Sequence, residues 1–179
     1  MKLCLDACVL YPTILREILI GCAQAGMFQP IWSERLLEEW ARAAARRNPT
    51  DEVIARGEIA LLTARFPAAM VQRHTGLETR LHLPDENDIH VLACAIAGGA
   101  EAIVTMNAKD FPRGVLASEG LERRDPDGLL WQFASDDRET VATIVEDIRA
   151  TAERLSGVSQ PLRALLKRAR LPRLGKALV

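Results

Sequence analysis

Leu83 to Asp110 reads LPDENDIHVLACAIAGGAEAIVTMNAKD, and the order of signals in it decides the fold. Leu83-Pro84-Asp85 leads into an apolar helical run from about Glu86 to Ala97, with Asp85 suited to the N-cap. Gly98-Gly99 stops that helix. Ala102-Ile103-Val104-Thr105 follows at once as a short, apolar, β-branched strand, and the polar turn Asn107-Ala108-Lys109-Asp110 ends it. A helix feeding directly into a buried strand is half of a strand–helix–strand crossover, the unit of a parallel sheet.

Toward the N-terminus the same alternation holds. Lys2-Leu3-Cys4-Leu5-Asp6 is a mostly apolar strand ending in a carboxylate, and Pro12 suits the first turn of a helix. Ile14, Leu15, Ile18, Leu19 and Cys22 mark one helical face, and Gly26 closes it. Phe28 to Trp32 reads as a second short strand. Ser33 then caps a helix carrying Leu36, Leu37, Trp40, Ala41 and Ala44 on its apolar side. Asn48-Pro49-Thr50-Asp51 interrupts it, a further helix runs from about Glu52 to Phe66, and Met70 to Leu83 has no clear period. Asp125-Pro126-Asp127-Gly128 reads as a turn, and Arg138 to Leu155 as an amphipathic helix. The expected fold is α/β: a three-layer α/β/α domain with a mostly parallel central sheet over residues 1–133, and a helical C-terminal extension over residues 134–179. Such sheets bind ligands beyond the carboxyl ends of their strands, the edge where Asp6 and Asn107 fall.

Composition narrows the function. The chain has 179 residues, 49% of them apolar, enough for a substantial core. No run approaches the roughly 20 apolar residues needed to span a bilayer, and Lys2 and Asp6 break up the start, which lacks the features of a secretory signal. The expected location is cytoplasmic. Cys4, Cys8, Cys22 and Cys94 lie in apolar runs without a C-x-x-C pair and read as core residues. His74, His82 and His90 follow no metal-ligand spacing and read as structural. Formal net charge is −1, but from Arg154 onward there are seven basic residues and no acid, so a tail of +7 follows a body of −8. In the last helical segment Leu162, Leu165, Leu166 and Ala169 take one side, while Arg163, Lys167 and Arg170 form a stripe that suits either solvent or phosphate. Phosphate loops of the GxxxxGK[ST] and GxGxxG kinds are absent.

Hydrolysing a phosphodiester without a nucleophilic side chain requires neutralised phosphate charge and an activated water, which a hard divalent cation held by carboxylates supplies. The candidates are Asp6, Glu39, Asp88 and Asp110, with Asn107 as a neutral oxygen. Each has a local alternative: Asp6 as acceptor for the next helix start, Glu39 as a solvated helix charge, Asp88 as the acidic partner of a capping box begun by Asp85, Asn107 and Asp110 as turn residues. Glu39 shares a face with Leu36 and Trp40, whereas Glu38 is displaced around the helix.

Leu5-Asp6-Ala7-Cys8-Val9-Leu10, the Leu-Leu-Glu-Glu-Trp of Ser33 to Trp40, Leu83 to Asp88, and Val104 to Pro112 together resemble the PIN-domain nucleases, especially their VapC-like toxin branch. The resemblance covers most of Met1 to about Phe133 and implies a metal-dependent ribonuclease. It places the first acid on Asp6, the helix glutamate on Glu39 with adjacent Glu38 as the alternative, the third acid on Asp88, and the final polar position on Asn107 with Asp110 nearby. Asp6 and Asp88 would hold the metal, Glu39 would complete the ligand set or position water, and Asp110, a further metal-associated acid, would act with Asn107 through the hydration shell. Asn107 departs from versions with aspartate there, one negative charge fewer. The cofactor implied is Mg2+ or Mn2+; the partners implied are RNA, a cognate antitoxin and a second copy of the chain, with no membrane. Two other readings stay open. One is a PIN-like RNA- or protein-binding module with little or no turnover. The other is a phosphatase using Asp6 as nucleophile, although Cys8 stands where such enzymes place a second acid.

Overall fold

Three short, mostly apolar segments and one charged one build the sheet. A computed structural model describes residues 1–179, and in it β1 (Lys2–Leu5), β2 (Gln29–Ile31), β3 (Ala102–Val104) and β4 (Glu122–Arg124) form one sheet in the order β2-β1-β3-β4. Every pairing is parallel, with Cys4 opposite Ile31 and Ile103, and Ile103 opposite Arg123. Leu3, Cys4, Leu5, Ala102, Ile103 and Val104 are all buried, which is why the strands read as continuous apolar runs rather than alternating ones. The α/β expectation holds, with a wholly parallel sheet and further helices toward the C-terminus.

The chain forms two compact units. The first comprises Met1–Tyr11 and Phe28–Arg124, the second Pro12–Met27 and Asp125–Val179. In the first, a short helix α1 (Ala7–Leu10) follows β1, and α3 (Glu34–Arg47) and α4 (Pro49–Arg65) follow β2 as an adjacent pair. Ser33 caps α3 by accepting from the Leu36 amide at 3.2 Å, as its residue type predicts. The Asn48 segment that interrupts α3 also starts α4: Asn48 accepts from the Asp51 amide at 2.8 Å, with Pro49 in the first turn. Trp32 is fully buried and meets Phe66 edge-on at 6.0 Å. The stretch without a period contains α5 (Thr75–Arg80), capped by His74. The apolar run after Asp85 opens as a 3-10 turn at Glu86–Asp88 and becomes α6 (Ile89–Ala97). It stops at Gly98, and Gly99 takes the left-handed backbone (φ +66°) that aims the chain into β3. A short α7 (Arg113–Ser118) precedes β4.

The second unit is helical: α2 (Thr13–Gln24), α8 (Pro126–Asp136), α9 (Arg138–Ser156), α10 (Leu162–Arg168) and α11 (Pro172–Leu178). α2 and α8 both pack on α9, and α11 packs on α8. Asp125-Pro126-Asp127-Gly128 is the start of α8 rather than a free turn: Asp125 accepts from the Gly128 amide at 2.8 Å and Pro126 occupies the first turn. The boundary expected after Phe133 falls inside this helix. The buried Asp127 carboxylate accepts the Arg173 and Leu174 amides at 2.9 and 3.0 Å, satisfying the open end of α11. No helix is long and apolar enough to cross a membrane.

Candidate active site

The sheet order puts β1 between β2 and β3, so the chain leaves β1 to one side for β2 and later returns to the other side for β3. Ligand crevices in parallel sheets open where the connections diverge in this way. Asp6 is the first residue beyond β1 and Thr105 the first beyond β3, and the Asp6 amide donates to the Val104 carbonyl at 3.1 Å. Both side chains are buried, and the Thr105 hydroxyl donates to Asp6 Oδ2 at 2.7 Å. The Cys8 thiol reaches the same oxygen at 3.1 Å and accepts from the Met106 amide at 3.3 Å. Burial, reinforced by the Asp6 charge, pushes the Cys8 thiol up to about 12, so it is a proton donor here and not a nucleophile. Asp6 sits at the N-cap of α1 without a capping bond, which removes the local alternative for it.

Asp88 also lies at a helix start without capping it, so the expected capping box does not form; Asp85 caps the turn alone, accepting from the Asn87 amide at 2.9 Å. The Asp88 carboxyl is instead pushed up to about 6, first by burial and then by the charges of Asp6, Asp85, Asp110 and Glu39. Four of the expected acids, Asp6, Glu39, Asp88 and Asp110, are therefore close enough for Asp88 to feel the other three. Asn107 joins them through Asp110, since its side-chain amide donates to Asp110 Oδ2 and its backbone amide donates to Thr105 Oγ at 2.9 Å. Arg123 braces this loop by donating to the carbonyls of Ala108 and Phe111 at 2.6 and 2.9 Å.

The two adjacent glutamates of α3 separate cleanly. Glu38 is engaged by Arg56 at 2.9 Å and Arg42 at 3.2 Å, and the Arg56 hydrogen bonds hold its carboxyl down to about 2. Glu39 has its Oε1 2.7 Å from His90 Nε2 and 3.5 Å from Arg35 Nε. Arg163, Lys167 and Arg170 lie in the other unit. Arg163 and Lys167 are exposed on α10, but Arg170 lies beyond its end in the left-handed region (φ +61°), so Arg170 does not continue their helical stripe.

A divalent cation suits this chemistry. The donors are carboxylate oxygens with a neutral amide beside them, the Cys8 and Thr105 bonds to Asp6 both fall on Oδ2, and the like-charge repulsion on Asp88 is what a cation relieves. No three of the histidine, cysteine, aspartate and glutamate side chains converge as a ready-made chelating group, so the carboxylates need local side-chain movement to share an ion.

Sequence reasoning passed over Thr105, His90 and the functional side of Cys8. Thr105 read as a β-branched strand former, yet a hydroxyl at the C-terminal end of a buried strand was the available signal. His90 stands as a polar residue within the apolar run of α6, and Cys8 two residues after Asp6, both in places where core packing was the simpler reading.

A PIN domain family model matches residues 2–109, the segment that holds every site residue of the first unit except Asp110 and Arg123. No curated protein and no solved structure matches the chain.

Proposed function

The chain belongs to the PIN domain family, whose members are generally nucleases, and from that premise we propose that it is a Mg2+- or Mn2+-dependent endoribonuclease cleaving with activated water. The observation that carries this reading is the convergence of charge on Asp88, raised to about 6 by burial and by Asp6, Asp85, Asp110 and Glu39. Like charges gathered in a part-buried place are costly unless a cation completes them. When bound, a hard divalent cation supplies phosphate neutralisation and water activation. Asp6 and Asp88 are the holding carboxylates. Thr105 and Cys8 fix one oxygen of Asp6 and leave the other for the ion. Glu39 completes the set or orients water, and the Asn107–Asp110 pair acts through the hydration shell. With the Cys8 thiol protonated, no strong side-chain nucleophile is on offer.

In this reading the protein is the toxin of a toxin–antitoxin pair, and an antitoxin arginine entering the carboxylate cluster would block it by a charge-assisted bond. A second reading, a PIN-like binding module without turnover, draws on Asn107 and on the lack of a ready-made chelating group. One experiment separates them: purified protein incubated with diverse RNAs, with and without Mg2+ or Mn2+. Cleavage only with metal, reduced about 100-fold or more in Asp6→Asn and Asp88→Asn with the fold retained, is expected. Undiminished cleavage by both variants would defeat the assignment, and binding without cleavage would favour the module.

A further inference from the structure

His90 is buried in the first turn of α6, its side chain only 3% exposed, and Nδ1 has no hydrogen-bond partner. Nε2 lies 2.7 Å from Glu39 Oε1, too bent to form a good hydrogen bond as the two now stand. Two acceptors do not sit this close, so Nε2 carries a hydrogen, and a small turn of either side chain would direct it at the carboxylate. An imidazole left this poorly satisfied in an interior is destabilising, and a leucine would pack there without that loss. Glu39 has a second partner on its own helix, the exposed Arg35, at 3.5 Å, and Arg35 also donates to the Asn87 carbonyl at 3.5 Å. Of the two groups beside Oε1, only the buried imidazole belongs to α6, the helix that begins immediately after Asp88.

We propose that His90 is a positioning residue that holds the Glu39 carboxylate beside Asp88, and so sets the affinity of the carboxylate cluster for a divalent cation. This rests on the metal-dependent reading of the same site. The role is steric and directional: a hydrogen at the place of Nε2 is what matters, and any residue presenting one there should substitute.

The test is Mn2+ binding by calorimetry on the full chain, without substrate, for wild type, His90→Leu, His90→Gln, Glu39→Gln and the His90→Leu/Glu39→Gln pair. His90→Leu is expected to weaken Mn2+ binding by about 10- to 100-fold, the usual scale for groups that orient a metal ligand. Its metal-free melting temperature should be no lower than wild type, because an unsatisfied polar group has been exchanged for an apolar one. His90→Gln, whose amide N–H can reach the position of Nε2, should recover most of the affinity. In the Glu39→Gln background His90→Leu should cost nothing further, since the two act through one interaction. Unchanged Mn2+ affinity in His90→Leu, equal loss in His90→Gln and His90→Leu, or independent losses from His90 and Glu39 would each overturn the role of His90. A wild-type chain that binds no Mn2+ overturns the metal reading as well, so the two failures are distinguishable.

Discussion

At the scale of single residues, Asp88 carries a consequence for stability that can be read without RNA. Its carboxyl is moved from an ordinary 3.8 to about 6, so the native chain keeps a proton that the unfolded chain releases near pH 4. Between those values the native state binds more protons, and stability falls as pH rises from about 4 through about 6. Above that window the ionised Asp88 is a standing penalty. Asp88→Asn should therefore melt above wild type in chelator at pH 7.5, by about 1 kcal/mol once the screening of this part-exposed group is discounted. The difference should shrink toward pH 4; a variant less stable than wild type at pH 7.5 contradicts the assigned cause. Asp6 and Asp88 were both legible as candidates because each stands where a strand ends or a helix begins. What the sequence did not carry was the choice between capping and clustering, since that depends on which hydrogen bonds form across 99 residues from Asp6 to Thr105.

Among the elements, the loop after β3 is the one whose integrity the site depends on most directly, since it carries Asn107 and Asp110. Arg123 on β4 holds it by two carbonyls. Arg123→Met keeps the aliphatic stem and removes both bonds; it should lower stability by about 1 kcal/mol, speed amide exchange across Ala108–Phe111, and slow RNA cleavage. Unaltered exchange in that loop would show that the brace is not needed. Elements with strong local signals were readable: Ser33 before α3, Asp85 before the 3-10 turn, Gly98-Gly99 after α6. β4 was not, because Glu-Arg-Arg has no apolar pattern and becomes a strand only by pairing with β3, Ala102 opposite Glu122. α5 escaped for a related reason, being six residues long with none buried. Asp125 to Gly128 was misread because Asp-Pro-Asp-Gly suits a turn and a capped helix start equally well.

For the molecule as a whole, the charge asymmetry gives a prediction that does not depend on where the tail sits. Arg163 and Lys167 are exposed on α10, so if they meet RNA phosphates, neutralising both as glutamine should weaken binding most at low salt. The slope of log affinity against log salt should flatten by about 1.4 for a single strand. No change would remove these two residues from the RNA path. The division into units has a different consequence, for how the chain is made. α2 leaves the nascent chain early with Leu15, Ile18, Leu19 and Cys22 on one face, destined for burial, and its packing partner α9 begins only at Arg138. At about 5–20 residues per second the interval between them during synthesis is of order 10 s. For that time a greasy helix has no finished partner, and a chain cut short before α9 would never acquire one. Truncated products should therefore aggregate or be captured by chaperones, even though every acid of the candidate site has already been translated.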